Sequence, residues 1–435
     1  MQATVENISQ LERRIRISVP RTQIDSEVES RLKRLARTAK VHGFRPGKVP
    51  LKIVAQQYGG QVRQEVIGDT MQRSISDAMR EQQLRVAGYP RLETVSDEKA
   101  GEALEFTATF EIYPEVKIGD LSQASIEKPQ VAVSEEDVDK TLEILRKQRA
   151  TFEPADRSAQ NGDRVEIDYH GTVDGKDFAG GDAKGYVLTL GEGKTLADFE
   201  GNIPGMKAGD SKSVQVNFPA DYHGKDVAGK TATFEIKLNR VSEPKLPEIG
   251  PEFAKALGVE DGDIAKMRAE VRGNLEREVK KRVENRLKEQ VMQVLLDSTP
   301  IELPNSLVEI EAERLQQRAR EDLAMRGIKA DDMPIPADMF AESAQRRVKL
   351  GLILAEVVKA NALHASAEQV RAVVEDFAES YEHPDQIVSW YYQEPSRLAE
   401  VESLAVEQNV VNWIMGVAKV MDKSITFDEL MGIAK

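Results

Sequence analysis

The sequence predicts a multidomain α+β protein in three folded parts: an N-terminal α+β domain, a β-rich middle domain and an all-α C-terminal domain. Three observations predict it. The chain has 435 residues, more than a single hydrophobic core normally organises. The apolar period is mixed up to residue 112, becomes strictly alternating after Thr151, and becomes helical from Leu246. Finally, the prolines of the last region fall between the helical stretches rather than inside them.

Taken in order, Arg13 to Pro20 alternates with Ile15, Ile17 and Val19 on one side, the pattern of a half-buried strand. Ile24, Val28, Leu32, Leu35, Ala36 and Ala39 follow at helical spacing, with Ser26 and Glu29 as a capping box near the start. The segment Val41 to Pro50 holds two glycines and two prolines and reads as a loop. A second helix is expected from Leu51 to Gln83 and a strand from Leu104 to Ile112, closing an α+β domain over 1–112. Residues 113–150 read as a linker containing a helix that opens at Ser134 and runs past Leu142 to Arg149.

From 151 to 245 the alternating triplets Val165/Ile167/Tyr169, Val214/Val216/Phe218 and Phe234/Ile236/Leu238 are separated by Asp-Gly, Gly-Gly and Ala-Gly-Asp turns. Residues 246–435 are helical in period, with expected helices near 263–296, 305–326, 337–362, 366–381 and 396–420 and breaks at Pro300/Pro304, Pro334/Pro336, Pro384 and Pro395. In the first of these helices Met267, Val271, Leu275, Val279, Val283, Leu287 and Val291 recur every four residues. On a helix of 3.6 residues per turn that stripe winds, so one long helix should meet several partners in turn.

Composition excludes several chemistries. The chain has no cysteine, which removes disulfides, thiol nucleophiles and thiolate metal sites. His42, His170, His223, His364 and His383 are scattered without metal-ligand spacing, so neither metal nor organic cofactor is expected. Gly193-Lys194-Thr195 resembles the tail of a phosphate loop, but Leu188 stands where that motif needs glycine. The N-terminus has no secretory pattern, and no apolar run is long enough to span a bilayer. A formal net charge of -14 argues against nucleic acid as the general partner, and no DNA contact is expected.

One stretch reverses that charge. Between Ser30 and Gln64 there is no acidic residue, while Arg31, Lys33, Arg34, Arg37, Lys40, Arg45, Lys48, Lys52 and Arg63 are basic. At its centre a Gly/Pro-bounded tip displays Phe44 beside Arg45, a pairing suited to a surface that offers both phosphate and an apolar pocket. A solvated basic face is the plain alternative.

Here a resemblance becomes specific. Gly43-Phe-Arg-Pro-Gly-Lys-Val-Pro50, followed by Val54-Ala-Gln-Gln-Tyr-Gly59, resembles the signature loop of the trigger factor family of bacterial chaperones. It departs at Pro46, where the best-known pattern has lysine. The resemblance implies that Gly43, Phe44, Arg45, Pro46, Gly47 and Lys48 dock on the large ribosomal subunit beside the exit tunnel, touching protein and rRNA.

The middle region, with Tyr169-x-Gly171, Asp174-Gly-Lys-x-Phe178, Leu190-Gly-x-Gly193, Phe199-Glu-Gly201 and Tyr222-His-Gly224, resembles the FKBP fold. That implies prolyl isomerase activity, with Tyr169, Phe178, Leu196, Phe199, Tyr222 and Phe234 lining a proline-binding pocket and Phe152 closing one side. Ala179 stands where the family commonly has an acidic residue. Leu246-Pro-Glu, Phe253, Gly258-Val-Glu-Asp-Gly262 and Arg268-Ala-Glu-Val-Arg272 are similar to the trigger factor carboxy-terminal domain, so the resemblance spans the chain. It implies an ATP-independent cytoplasmic chaperone, partly ribosome-bound, whose helical domain holds nascent and unfolded polypeptides. A homodimer when free of the ribosome is also implied. Met325, Met333, Met339, Trp390, Tyr391, Tyr392, Trp413 and Met415 supply adaptable or aromatic surface for client contact, with packing the plain alternative for each taken singly.

Overall fold

The computed structural model describes all residues except 1, 41, 43, 45–48, 95–102, 221, 223, 225–226, 328–334, 380, 382 and 434–435. The chain divides into two compact units, Met1–Lys128 with Asn285–Asp422, and Pro129–Glu284 with Lys423–Lys435.

The first unit begins with strands β1 (Gln2–Asn7) and β2 (Glu12–Pro20), helices α1 (Arg21–Leu35) and α2 (Leu51–Glu81), and strands β3 (Val86–Thr94) and β4 (Ala103–Ile112). The strands form an antiparallel sheet in the order β1-β2-β4-β3. Ile15, Ile17 and Val19 of β2 and Leu104, Phe106 and Ala108 of β4 are buried against Ile24 and Leu32 of α1 and Val54, Val62 and Val66 of α2. Helix α1 starts directly at the end of β2 with Pro20 as its N-cap and no side-chain cap. Ser26 and Glu29 therefore lie inside the helix and form no capping box at its start: proline's fixed φ already sets the turn from strand to helix.

After β5 (Ser125–Gln130), the first unit resumes in the second half of α6 (Ile264–Ser298). Helices α7 (Asn305–Met325) and α8 (Ala341–Asn361) pack as a hairpin, with a 3-10 turn at Ala337–Phe340 between them. Then come α9 (Ala367–Ala378), α10 (Pro384–Tyr392), α11 (Pro395–Val417) and β11 (Lys419–Ser424), which pairs with β5. Pro384 and Pro395, expected as breaks, are each the first residues of a helix, where the missing N–H costs nothing. The expected helix to residue 420 ends at Val417 because the chain turns into β11.

The second unit holds α3 (Glu135–Gln148), whose N-cap Ser134 forms a capping box with Asp137. The β-rich part follows: β6 (Thr151–Pro154), β7 (Arg164–Val173), β8 (Lys176–Thr189), α4 (Ala197–Glu200), β9 (Ser211–Asn217) and β10 (Thr231–Lys245). Its sheet runs β6-β10-β7-β8, with β9 also on β10, all antiparallel. The β7–β8 hairpin turns at Asp174-Gly175, both at positive φ (49° and 75°), as the Asp-Gly signal requires. Within this unit Met267 and Val271 of α6 pack on Val138 and Leu142 of α3 and on Phe253 of α5 (Pro251–Ala256). Val279 and Val283, further along, pack on Ile425 and on Leu430 of α12 (Phe427–Met431). The winding stripe thus meets successive partners, as its spacing predicts.

Candidate functional sites

Strand alternation decides which rings gather in the β-rich part. On β10, Phe234, Ile236 and Leu238 point to the core, and on β7 Val165, Ile167 and Tyr169 do. Phe234 pairs directly with Gly171 of β7, and its ring fills the space a side chain there would take. A Cβ on Gly171 would lie 2.4 Å from Phe234 Cε1. Around Phe234 stand Phe199 (centroids 5.2 Å apart, 80° between planes), Tyr169 (5.9 Å, 64°), Phe178 (6.0 Å, 89°) and Phe218 (6.4 Å, 39°). Most of these are the edge-to-face arrangements that aromatic quadrupoles favour.

The six expected pocket residues therefore come together. Phe199 and Phe234 are buried, while Tyr169, Phe178, Leu196 and Tyr222 are half-buried and pack against the same core. Two rings that the sequence pattern did not assign to the site join them. Phe218 lies 4.7 Å from Tyr222 and 6.0 Å from Phe178. Tyr186 stands edge-on to Tyr169 at 5.7 Å and is 38% exposed. Phe218 ends the β9 alternation and Tyr186 shares parity with buried Leu188 on β8, so strand parity was the signal for both. Phe152 belongs elsewhere. It pairs opposite Pro244, ten residues along β10 from Phe234, and lies beneath the Arg164 guanidinium at 3.8 Å.

The electrostatics suit an apolar guest. Burial pushes the Tyr169 phenol above its ordinary value, with Tyr186, Asp182 and Tyr222 adding to the shift, so it stays a neutral hydrogen-bond donor. Next to Phe199, the buried Glu200 carboxylate accepts the Gly191 N–H and, at 3.0 Å, the Thr195 hydroxyl. It thereby ties the 191–195 loop to α4, whose N-cap is Leu196. Among the described residues no cluster could hold a metal ion.

In the first unit, the basic stretch is not uniformly free. Arg31 is paired with Asp69 at 2.6 Å and Glu27 at 3.3 Å, Lys33 with Glu29 at 2.6 Å, Arg34 with Glu27 at 3.4 Å, and Arg63 with Asp25 at 2.9 Å. The Asp69 carboxylate, with Glu27, raises the Arg31 pKa further. Arg37, Lys40 and Lys52 are exposed and form no ion pair among the described residues. Phe44, between them in the chain, is 40% exposed, whereas Gly43, Arg45, Pro46, Gly47 and Lys48 lie outside the described residues. Positive charge is thus left uncompensated on the chain flanking Phe44. Of the expected client residues, Met325, Met339, Trp390 and Tyr392 are exposed, Tyr391, Trp413 and Met415 half-buried, and Met333 outside the described residues.

Comparison with known proteins agrees along the length of the chain. Residues 1–145 match the family described as bacterial trigger factor protein, 155–239 that of FKBP-type peptidyl-prolyl cis-trans isomerase, and 263–416 that of the bacterial trigger factor C-terminus. A relative from Nitrosospira multiformis named "Trigger factor" is 59% identical over 433 residues, covering 99% of this chain and 100% of its own length. One of the same name from Laribacter hongkongensis is 52% identical over 436 residues, with both chains covered in full.

Proposed function

The chain belongs to the trigger factor family and is a ribosome-associated chaperone with FKBP-type prolyl isomerase activity, and on that footing we propose which residues carry each task. Residues 1–112 form the ribosome-binding domain, 113–150 a linker with a helix, 151–245 the isomerase domain and 246–435 the client-binding domain. Tyr169, Phe178, Leu196, Phe199, Tyr222 and Phe234 hold the proline. The observation that supports this reading is the ring cluster centred on Phe234, in which Phe199 and Phe218 are buried while Tyr169, Phe178, Leu196 and Tyr222 are half-buried.

The chemistry needs no nucleophile. Rotation about a peptide bond meets a barrier of roughly 18–20 kcal/mol, and the X-Pro bond interconverts in tens to hundreds of seconds. The planar amide is the more polar form, so water favours it over the twisted one. A pocket that grips the proline ring among apolar rings strips that water and favours the twisted amide. Tyr222, half-buried against the same core, donates its hydroxyl to the substrate carbonyl. Phe199→Ala and Tyr222→Ala should each slow isomerisation of a short X-Pro peptide while circular dichroism stays native. Unchanged rates in both would remove this assignment.

Docking falls to Gly43, Phe44, Arg45, Pro46, Gly47 and Lys48, supported by Arg37, Lys40 and Lys52. Phe44 enters an apolar recess of a ribosomal protein, and the cations lie on rRNA phosphate. The exposure of Phe44 beside unpaired cations supports this. Pelleting with 70S ribosomes that Phe44→Ala/Arg45→Ala abolishes is the expected result. Pelleting that persists in the double variant would move the docking site elsewhere. Free of the ribosome the protein is a cytoplasmic homodimer, which sedimentation velocity across a concentration series tests directly. Nascent chains are held by dispersed apolar side chains among charges, with little sequence preference.

A further inference from the structure

The α7–α8 hairpin carries an unusual apolar surface. Within residues 305–361 the exposed large apolar side chains, among those described, are Met325 (80% exposed) and Met339 (70%), and no others. Met325 ends α7, and Met339 lies in the 3-10 turn that leads into α8. Gln316 donates to the Ile335 carbonyl at 2.6 Å, which fastens the approach to that turn along α7. Methionine is not confined to surfaces in this chain, since Met206, Met267 and Met292 are buried in cores. Among the described residues the other strongly exposed methionine is Met421 (53% exposed), which lies on β11 and not on a helix. Exposed apolar groups on α9–α11 are Phe377, Trp390, Tyr392, Leu404 and Val417. The hairpin therefore presents thioethers where the neighbouring helices present aromatic and aliphatic groups. With no cysteine anywhere in the sequence, methionine is the sulfur that a mild oxidant meets.

We propose that Met325 and Met339 are a reversible oxidation site, and that peroxide switches off client binding by this hairpin while sparing the aromatic helices. The step balances simply. A lone pair on the thioether sulfur attacks one peroxide oxygen, the O–O bond breaks, an S–O bond forms and water leaves. Sulfur is oxidised by two electrons and the peroxide is reduced. A flexible apolar side chain becomes a polar sulfoxide. A client segment that packed on the thioether then meets a group that keeps its water. A thiol-dependent methionine sulfoxide reductase reverses the change. The proposal rests on the reading that exposed apolar side chains of this region hold clients.

The full-length protein is treated with hydrogen peroxide, desalted and mapped by peptide mass spectrometry. Its affinity for an unfolded, methionine-free polypeptide is then measured by fluorescence anisotropy. Sulfoxide should form at Met325 and Met339 well before Met206, Met267 and Met292. Affinity should fall about threefold or more, the scale of a single sulfur–aromatic interaction. Reductase treatment should restore it, and isomerisation of a short X-Pro peptide should not change. In Met325→Leu/Met339→Leu the ratio of treated to untreated affinity should stay near one.

Affinity that survives full oxidation of both residues would overturn the proposal alone, as would equal loss in the leucine variant or oxidation that favours the buried methionines. If the untreated protein did not bind the unfolded chain at all, the client-holding reading would fall first.

Discussion

Replacing Gly171 by alanine tests the packing of the proline site through a residue that is not itself one of its rings. A Cβ at 171 would stand 2.4, 2.7 and 2.8 Å from three atoms of the Phe234 ring, where ordinary contact begins at 3.4 Å. The ring must then retreat by about 1 Å, the difference between 3.4 and 2.4 Å. It has nowhere free to go, because Phe199, Tyr169, Phe178 and Phe218 surround it at 5.2–6.4 Å. Overpacking of this kind costs about 1–3 kcal/mol, offset in part by the roughly 0.5–1 kcal/mol that alanine gains over glycine within a strand. We expect a net loss of about 1–2 kcal/mol in denaturant unfolding of the β-rich part. Displacement of a site ring by this much should lower kcat/KM for a short X-Pro peptide by at least about tenfold, equivalent to roughly 1.4 kcal/mol of transition-state stabilisation. Adding Phe234→Leu should recover the stability, because the clash disappears, without recovering the rate. If Gly171→Ala kept both wild-type stability and wild-type rate, the ring would have room to move and the account of a pre-set apolar floor would be wrong.

Two further outcomes follow from charge. Arg37→Glu/Lys40→Glu should sharply reduce pelleting with ribosomes and lower the salt dependence of binding by about one unit of slope for each phosphate no longer neutralised. Arg31→Ala/Arg63→Ala should change it little, since acidic neighbours already occupy those guanidinium groups; equal losses in both pairs would refute the distinction. The Glu111 carboxyl is pushed up by burial, but the Ser306 side chain and N–H, the Asn305 N–H and the charge of Arg91 outweigh this and hold it below its usual range. A depressed carboxyl contributes stability above its unfolded value, about 4.3, and loses it as pH falls through the lower folded value. Unfolding midpoints should therefore drop below about pH 4.5 in the wild type and drop less steeply in Glu111→Gln. Identical pH profiles for the two would show that Glu111 contributes nothing to acid sensitivity.

The sequence made the site's rings legible because strand parity ties each ring to one face. Tyr169 shares a face with Ile167 and Phe234 with Ile236, so burial of one member places the other. What escaped was whatever parity could not carry. Strand β3, for which the sequence carried no expectation, contains Gly88 at φ 74° and Pro90 at an irregularity where its register to β4 shifts between Ala87 and Arg91. Strand β1 is a largely exposed edge, and without a buried face it has no strong alternation. Prolines 384 and 395 look alike in sequence whether they stop a helix or start one. The charge pattern misled most: Arg31 and Asp69 lie 38 positions apart, and of the seven described cations in a run that looks wholly basic along the chain, four are paired in space. Phe152 failed as a pocket residue for the same reason, since nearness to a domain's start says nothing about where β6 is laid along β10.

The discontinuity of the first unit gives this protein a folding problem of its own while it is being made. Glu111 closes the start of α7 by accepting the N–H groups of Asn305 and Ser306, 194 and 195 positions later. At the usual 5–20 residues per second of synthesis, that stretch takes about 10–40 seconds to emerge. The β1–β4 sheet can close early on its own α1 and α2, and the β-rich part, continuous from Thr151 to Lys245, can close next. Throughout that interval the Glu111 edge stays bare, and a newborn molecule is for that time a nascent chain with an unfinished surface, the very kind of chain its finished copies receive.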